Sequence, residues 1–305
     1  MASLTESFIE DGFADLGVLM PEEACRELMQ AVRASRNFGP DIFLDQATFE
    51  ANPQYRGTNP MPGRNLFEAL SPKSDFILAE PRLKSALSEL LGADYTVLDQ
   101  KFVCGVPDRW LPDWLKPRII GNPVNNLGPY IRPAYRDITY FYGIDFHQDI
   151  IDWKSRYSDL ITVYVYIHPV TAGDAPLYVL PRSHKLGACM FPHDLTKQSD
   201  GRWLYRNGTG GEMPLDERML VGETGYVACW HACTLHGTMP VSSDAERFSA
   251  RFLISRGQAD QAGLDAVNAS IPYPLSLEDT RRDLGDAGEA RIKGNIITGR
   301  PVAER

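Results

Sequence analysis

Residues 161–167 read Ile-Thr-Val-Tyr-Val-Tyr-Ile, seven consecutive β-branched or aromatic positions with no charge among them. Such a run fits a central strand buried on both faces, because a half-exposed strand would alternate with polar residues. Further short strands are expected on either side of it, at Tyr95–Leu98, Phe102–Val106, Leu177–Leu180, Tyr226–Cys233 and Phe248–Ser255, with turn-rich connections between them. The first part of the chain reads as helical. Pro21, Glu22 and Glu23 open a helix whose Cys25, Leu28, Met29 and Val32 share one face. Pro81 opens another that buries Leu83, Ala86, Leu87, Leu90 and Leu91 and stops at Gly92. Strands gathered in the middle with helices at one end imply a mainly β fold with helical elaboration, a sandwich or jelly roll.

The remaining stretches set the boundaries. Asn52–Gly63 is rich in Asn, Pro and Gly and reads as a long surface loop. Pro107, Pro112, Pro117, Pro123 and Pro129 exclude a long regular element and mark 107–130 as an insertion or a lid-like loop. Beyond Gly257 the pattern weakens, with one short polar helix expected at Leu277–Leu284. The chain therefore divides into a single domain over 1–257, helical over about 1–92 and jelly roll over about 93–257, and a C-terminal extension over 258–305.

Among the 305 residues, Lys and Arg number 31 against 40 Asp and Glu, and the net charge of −9 gives no bulk attraction to nucleic acid or to an anionic membrane. No apolar run approaches the roughly 20 residues of a membrane helix. The opening Met1–Glu6 has neither the basic nor the apolar region of a secretory signal. Five scattered cysteines, an odd number, fit a reduced, cytoplasmic setting.

Chemistry concentrates at Phe146-His147-Gln148-Asp149. On extended backbone His147 and Asp149, two apart, project to one side and can share a metal ion, while Gln148 points away. His236 follows far along the chain. Two histidines and one carboxylate are the ligands of a facial triad, which leaves open positions on ferrous iron. By spacing alone the pair reads first as an ordinary solvent-exposed strand start.

A rival set, Cys229, His231, Cys233 and His236, contains zinc-type ligands. Three strand positions spaced by two span about 13 Å, too far for one ion, so Cys229 and Cys233 read as small buried hydrophobes. His184 reads as a residue that orders its turn, and His168 and His193 as strand-end or loop groups with satisfied hydrogen bonds. Arg247 stands eleven residues beyond His236 at the entry to a strand, where its fork could grip a dicarboxylate. Arg251, four further on, keeps the same face and competes with it.

Taken with Leu177-Tyr-Val-Leu-Pro-Arg-Ser-His-Lys-Leu-Gly187, with Phe8-Ile-Glu-Asp-Gly-Phe13, Pro21-Glu-Glu-Ala24 and Leu90-Leu-Gly92, these motifs resemble the phytanoyl-CoA dioxygenase family of Fe(II)/2-oxoglutarate oxygenases over about residues 4–257. The resemblance implies a double-stranded β-helix, the cupin-like jelly roll. It also implies iron held by His147, Asp149 and His236, with Arg247 on the distal carboxylate of 2-oxoglutarate and Thr238 beside it. Lys101 and Arg64 are further co-substrate contacts it suggests. The implied reaction hydroxylates an unactivated C–H of a small metabolite, consumes O2 and releases succinate and CO2, with ascorbate supportive in vitro. Desaturation or epoxidation at the same iron is the nearest alternative, and a non-catalytic metal-binding jelly roll is the alternative of another class. The sequence departs from the family at Arg182, where a Gly is usual, and at Ala175-Pro176, where Asn-Gly is usual. Asp149 stands where halogenases of this architecture carry a small residue. Asp152, Trp153, Tyr142 and Trp230 are candidates for a substrate pocket, each with plain core packing as its alternative.

Overall fold

The 161–167 run lies at the heart of a ten-stranded sheet. In the computed structural model, which describes residues 3–52, 65–258 and 262–283, the strands are β1 (Phe13–Val18), β2 (Thr96–Gly105), β3 (Val124–Asn126), β4 (Thr139–His147), β5 (Leu160–Tyr166), β6 (Leu177–Leu180), β7 (Asp194–Lys197), β8 (Trp203–Arg206), β9 (Glu212–Leu215), β10 (Arg218–Leu220), β11 (Tyr226–His231), β12 (Leu235–Thr238) and β13 (Arg247–Ser255). The large sheet runs β1-β11-β5-β13-β2-β4-β12-β6-β10, with β3 added on β4, and β7-β8-β9 form a small separate sheet. The two ends of the long order meet: Arg218 of β10 forms an ion pair with Asp15 of β1 and lies over the Phe13 ring. The sheet is thus rolled onto itself, as the expected double-stranded β-helix requires.

Strand alternation divides the side chains between two compartments. On β13, Phe248, Ala250, Phe252 and Ile254 face outward and share a core with Leu28, Val32, Leu83 and Leu87 of the Glu22–Ser35 and Pro81–Leu91 helices. Arg247, Ser249, Arg251 and Leu253 alternate with them and face inward. On β5 the outward set is Ile161, Val163 and Val165 and the inward set Thr162, Tyr164 and Tyr166. Every residue of β5 is buried, as its composition demanded.

Several expectations are corrected. The N-terminal region is not purely helical: after the Leu4–Asp11 helix, Gly12 turns the chain at φ +63° into β1, an edge strand of the jelly roll. Strand β4 went unread because Gly143, at φ +80°, interrupts its alternation, and the two segments expected between 95 and 106 form one strand, β2. The proline-rich 107–130 segment is no lid: Trp110, Leu111, Leu115, Ile119 and Leu127 are buried in the outer core. The tail holds an unforeseen helix, Gly263–Ala269, while 277–283 is irregular rather than helical. It is a strap, accepting hydrogen bonds from Ser155 and Ser158 at Leu277 and Leu275 and from Ala188 and Phe191 at Pro274 and Thr280. Arg64 and most of the Asn52–Gly63 loop lie outside the described residues, as does Leu284. Among the described residues no helix is long and apolar enough to cross a membrane.

Candidate metal centre

Strands β4 and β12 are antiparallel, and His147 pairs directly with His236. Opposed residues project to the same side, which brings the two imidazoles to a centroid separation of 4.2 Å. Strand β4 ends at His147. Gln148 is still extended, and the chain then coils into a 3-10 turn, Asp149–Asp152, that returns the Asp149 carboxylate to the same side. One ligand atom from each of His147, Asp149 and His236 lies within 4.8 Å of the others, close enough to share one ion. The ring of His147 meets the Asp145 carbonyl through Nδ1 at 2.9 Å, and that of His236 meets the Thr234 carbonyl through Nδ1 at 3.1 Å. A carbonyl only accepts, so both Nδ1 atoms carry the proton and both Nε2 lone pairs are left for a metal.

The carboxylate is held as firmly. Asp149 Oδ2 accepts from Thr162 Oγ1 at 2.5 Å and from Trp230 Nε1 at 3.0 Å, and Oδ1 accepts from Arg251. Burial by itself would raise the Asp149 pKa, but the Arg251 charge, the two histidines and the Thr162 hydrogen bond hold it well below the usual carboxylate range. Burial pushes His236 down to about 3 against the pull of Asp149, and lowers His147 likewise. The three side chains are therefore in the protonation states that bind a divalent cation near neutral pH.

Gln148, which faces away from the ligands, is fully buried and locks the bend. Its Nε2 donates to the Gly187 and Cys233 carbonyls at 2.8 Å each, and its Oε1 accepts from Cys189 N at 2.8 Å. Neither this clasp nor the Thr162 and Trp230 contacts emerged from the sequence. The only signal was Thr162, the one non-aromatic hydroxyl in the run 161–167.

The two arginines separate cleanly. Arg251 belongs to Asp149. Arg247, 1% exposed, lies deeper, with Nη2 at 3.2 Å from the Tyr164 hydroxyl and Nη1 on the Ala175 carbonyl. Thr238 Oγ1 donates to that same carbonyl at 2.9 Å, so Arg247 and Thr238 converge on one acceptor. Arg247 Nε and the hydroxyl of its inward neighbour Ser249 are both buried without a partner. Buried donors left open beside a guanidinium suit an incoming carboxylate. Ser249 is a candidate that sequence reasoning missed.

The other candidates are scattered. Lys101 sits opposite Arg251 across β2 and β13, with Nζ 3.1 Å from Asp99, and burial and the Arg251 charge lower its pKa. Asp152 ends the 3-10 turn, more than half exposed, 3.9 Å from Arg281. Trp153 packs beside the tail under the Arg156 guanidinium. Trp230 touches His236, with ring centroids 4.7 Å apart. Tyr142 is not brought to the site: it packs in the outer core and donates to Asp108 at 2.7 Å. Among the rival zinc ligands, His231 pairs with Asn268 at 2.9 Å, Cys233 lies 3.1 Å from the Ser158 hydroxyl and Cys229 is in the outer core. His168 is satisfied by Phe248 N and the Pro169 carbonyl. His193, contrary to expectation, is buried with both ring nitrogens unpartnered.

The family departures carry a conformational signature. Ala175 and Arg182, at φ +51° and +72°, occupy the left-handed region, which costs a non-glycine residue roughly 1–2 kcal/mol.

Comparison with known proteins points the same way. A family model described as phytanoyl-CoA dioxygenase (PhyH) matches residues 8–249. No curated protein matches the sequence. Among solved structures, the fold is similar to that of the epimerase SnoN in complex with Fe3+, alpha-ketoglutarate and nogalamycin RO, at 12% identity and a TM-score of 0.50, covering 83% of this chain and 82% of that one. It is also similar to the non-heme alpha-ketoglutarate-dependent carbocyclase SnoK from nogalamycin biosynthesis, at 12% identity and a TM-score of 0.50, covering 91% of this chain and 93% of that one.

Proposed function

The chain belongs to the phytanoyl-CoA dioxygenase family, and on that premise we propose that it is an Fe(II)/2-oxoglutarate-dependent oxygenase that hydroxylates an unactivated C–H of a small molecule, releasing succinate and CO2. The observation that carries the reading is the pair of imidazoles whose Nδ1 atoms are committed to the Asp145 and Thr234 carbonyls. Their Nε2 atoms and the ionised Asp149 form a two-histidine, one-carboxylate set with open positions left over, the donor chemistry that suits ferrous iron.

Each residue then has a task. His147, Asp149 and His236 hold the metal, and Arg251, Thr162 and Trp230 fix the carboxylate of Asp149. Arg247 and Thr238, with the Ser249 hydroxyl, bind the distal carboxylate of 2-oxoglutarate, replacing the Ala175 carbonyl as their partner. Lys101 and Arg64 add positive charge for the same dianion. Asp152 and Trp153, next along the chain from Asp149, serve the substrate. Iron with 2-oxoglutarate and O2 supplies a two-electron oxidant when bound, and the buried aromatic wall of Trp230 and Tyr164 keeps water from it. Five free, buried cysteines accord with a reducing, cytoplasmic location.

Purified protein supplied with Fe(II), ascorbate and 2-oxoglutarate is expected to release succinate slowly, and His147→Ala or Asp149→Ala to abolish that release. Equal succinate from wild type and both variants, or none from wild type under any substrate, would overturn the reading. Mass spectrometry of a stimulating substrate separates hydroxylation or epoxidation, a gain of one oxygen, from desaturation, a loss of two hydrogens.

A further inference from the structure

The inner face of the rolled sheet carries a file of oxidisable rings that begins on a metal ligand. Trp230 lies 4.7 Å from the His236 ring and donates to Asp149. Tyr164 stacks on Trp230 at 5.9 Å, Tyr166 meets Tyr164 edge-on at 6.0 Å, and Tyr226 stacks on Tyr166 at 5.5 Å. All four belong to one buried cluster. Gly222 gives Tyr226 its seat, since a Cβ there would fall 2.6 Å from the ring.

Packing alone does not ask for these residues. Phenylalanine would fill the same space without a hydroxyl to satisfy in the core, whereas Tyr166 needs the Leu220 carbonyl and Tyr164 the Arg247 guanidinium as partners. The outer end of the file also has a distinct chemistry. The Asp15 carboxylate acts electrostatically on the Tyr226 phenol, and its side chain, paired with Arg218, is 30% exposed to solvent.

We propose that Trp230, Tyr164, Tyr166 and Tyr226 form an electron relay that quenches the iron centre when it is oxidised with no substrate in place. The proposal rests on the oxygenase reading for its natural oxidant. With no substrate, 2-oxoglutarate and O2 leave as succinate and CO2, and one two-electron oxidising equivalent stays at the metal. Reducing it to water takes two protons from solvent and two electrons, delivered inward along the file by two successive one-electron oxidations of Tyr226. Each time the Tyr226 phenol proton moves to Asp15 and on to solvent. A one-electron reductant of the ascorbate class, with a proton from solvent, then restores the tyrosine. The ligands His147 and His236 are thereby spared.

The test uses Fe(II)-loaded protein without substrate or reductant, in two arms: 2-oxoglutarate with O2, and one equivalent of hydrogen peroxide, which needs no 2-oxoglutarate. Freeze-quench electron paramagnetic resonance and peptide mass mapping read where oxidation settles. Wild type is expected to give a tyrosyl radical and oxidation at Tyr226 in both arms. Tyr226→Phe should lose that radical, and Tyr166→Phe should shift oxidation back to Tyr164 or Trp230. Asp15→Asn, which keeps the size of the side chain but removes its charge, should slow formation of the radical. Oxidation confined to Trp230 or the ligands in wild type, or patterns and lifetimes identical in wild type and the variants, would overturn the relay. Tyr226 oxidation in the peroxide arm with no succinate in the other would leave the relay standing and sink the oxygenase reading.

Discussion

Arg247 and Arg251 share a strand and a face, yet they serve different partners, and that difference can be measured. Arg251→Gln removes the cation that keeps Asp149 ionised. It is expected to weaken Fe(II) or Co(II) binding by roughly ten- to a hundredfold, the usual effect of losing an outer partner of a metal ligand. Arg247→Gln should leave metal affinity nearly unchanged and lower 2-oxoglutarate affinity by about tenfold or more, because charge-assisted hydrogen bonds contribute about 1.5–3 kcal/mol. Anaerobic titrations of metal and then of co-substrate separate the two effects, and the opposite assignment would exchange them. The His-x-Asp spacing was legible because strand alternation puts both side chains on one side. Arg247 was legible only through its distance from His236. The Thr162 and Trp230 contacts were not, because they reach Asp149 from β5 and β11, and no local pattern encodes a pairing across strands.

At the scale of elements, the metal bend is held by parts distant in sequence. Gln148 joins the end of β4 to the 187–189 loop and to the turn after β11, and Gln148→Leu strands two carbonyls and one N–H in the core. Each unsatisfied group costs about 1–3 kcal/mol, so a lowered urea midpoint with weakened metal binding is expected, and an unchanged midpoint would remove its clasp role. Gly12 joins the first helix to β1 at φ +63°, and a Cβ there would fall 2.3 Å from His184 Nδ1. Gly12→Ala should destabilise by at least about 1 kcal/mol from the backbone alone, with overpacking against His184 adding to it; calorimetry reads the sum. The same scale explains what the sequence revealed. Strands with apolar runs, β-branched and aromatic in β5, Leu-Tyr-Val-Leu in β6 and Phe-Leu-Ile in β13, were evident from composition. Strands β1 and β4 were not, since Gly17 and Gly143 break their alternation and long-range pairing supplies the stability that their own residues do not declare.

Taken whole, the molecule buries most of its imidazoles in the neutral state. Burial holds His231 down to about 4, His193 and His236 to about 3, and His184 well below its ordinary value. As pH falls below about 6.5 the unfolded chain takes up protons that the folded chain refuses, so stability declines with falling pH, by up to about 1.4 kcal/mol per unit for each histidine. The Tm of the metal-free protein should therefore drop steadily from about pH 7 to about pH 5, and a flat profile would contradict these burials. The rolled architecture has one more consequence, in the timing of synthesis. Strand β1 leaves the ribosome long before its partner β11, which lies more than two hundred residues later, and Asp149 waits for Arg251 on β13. Pairings of such long sequence separation cannot form in a short nascent chain. The newborn polypeptide must therefore carry an unpaired edge strand and a half-made metal site until nearly all of the jelly roll has emerged, and during that interval shielding by chaperones, rather than its own fold, protects it from aggregation.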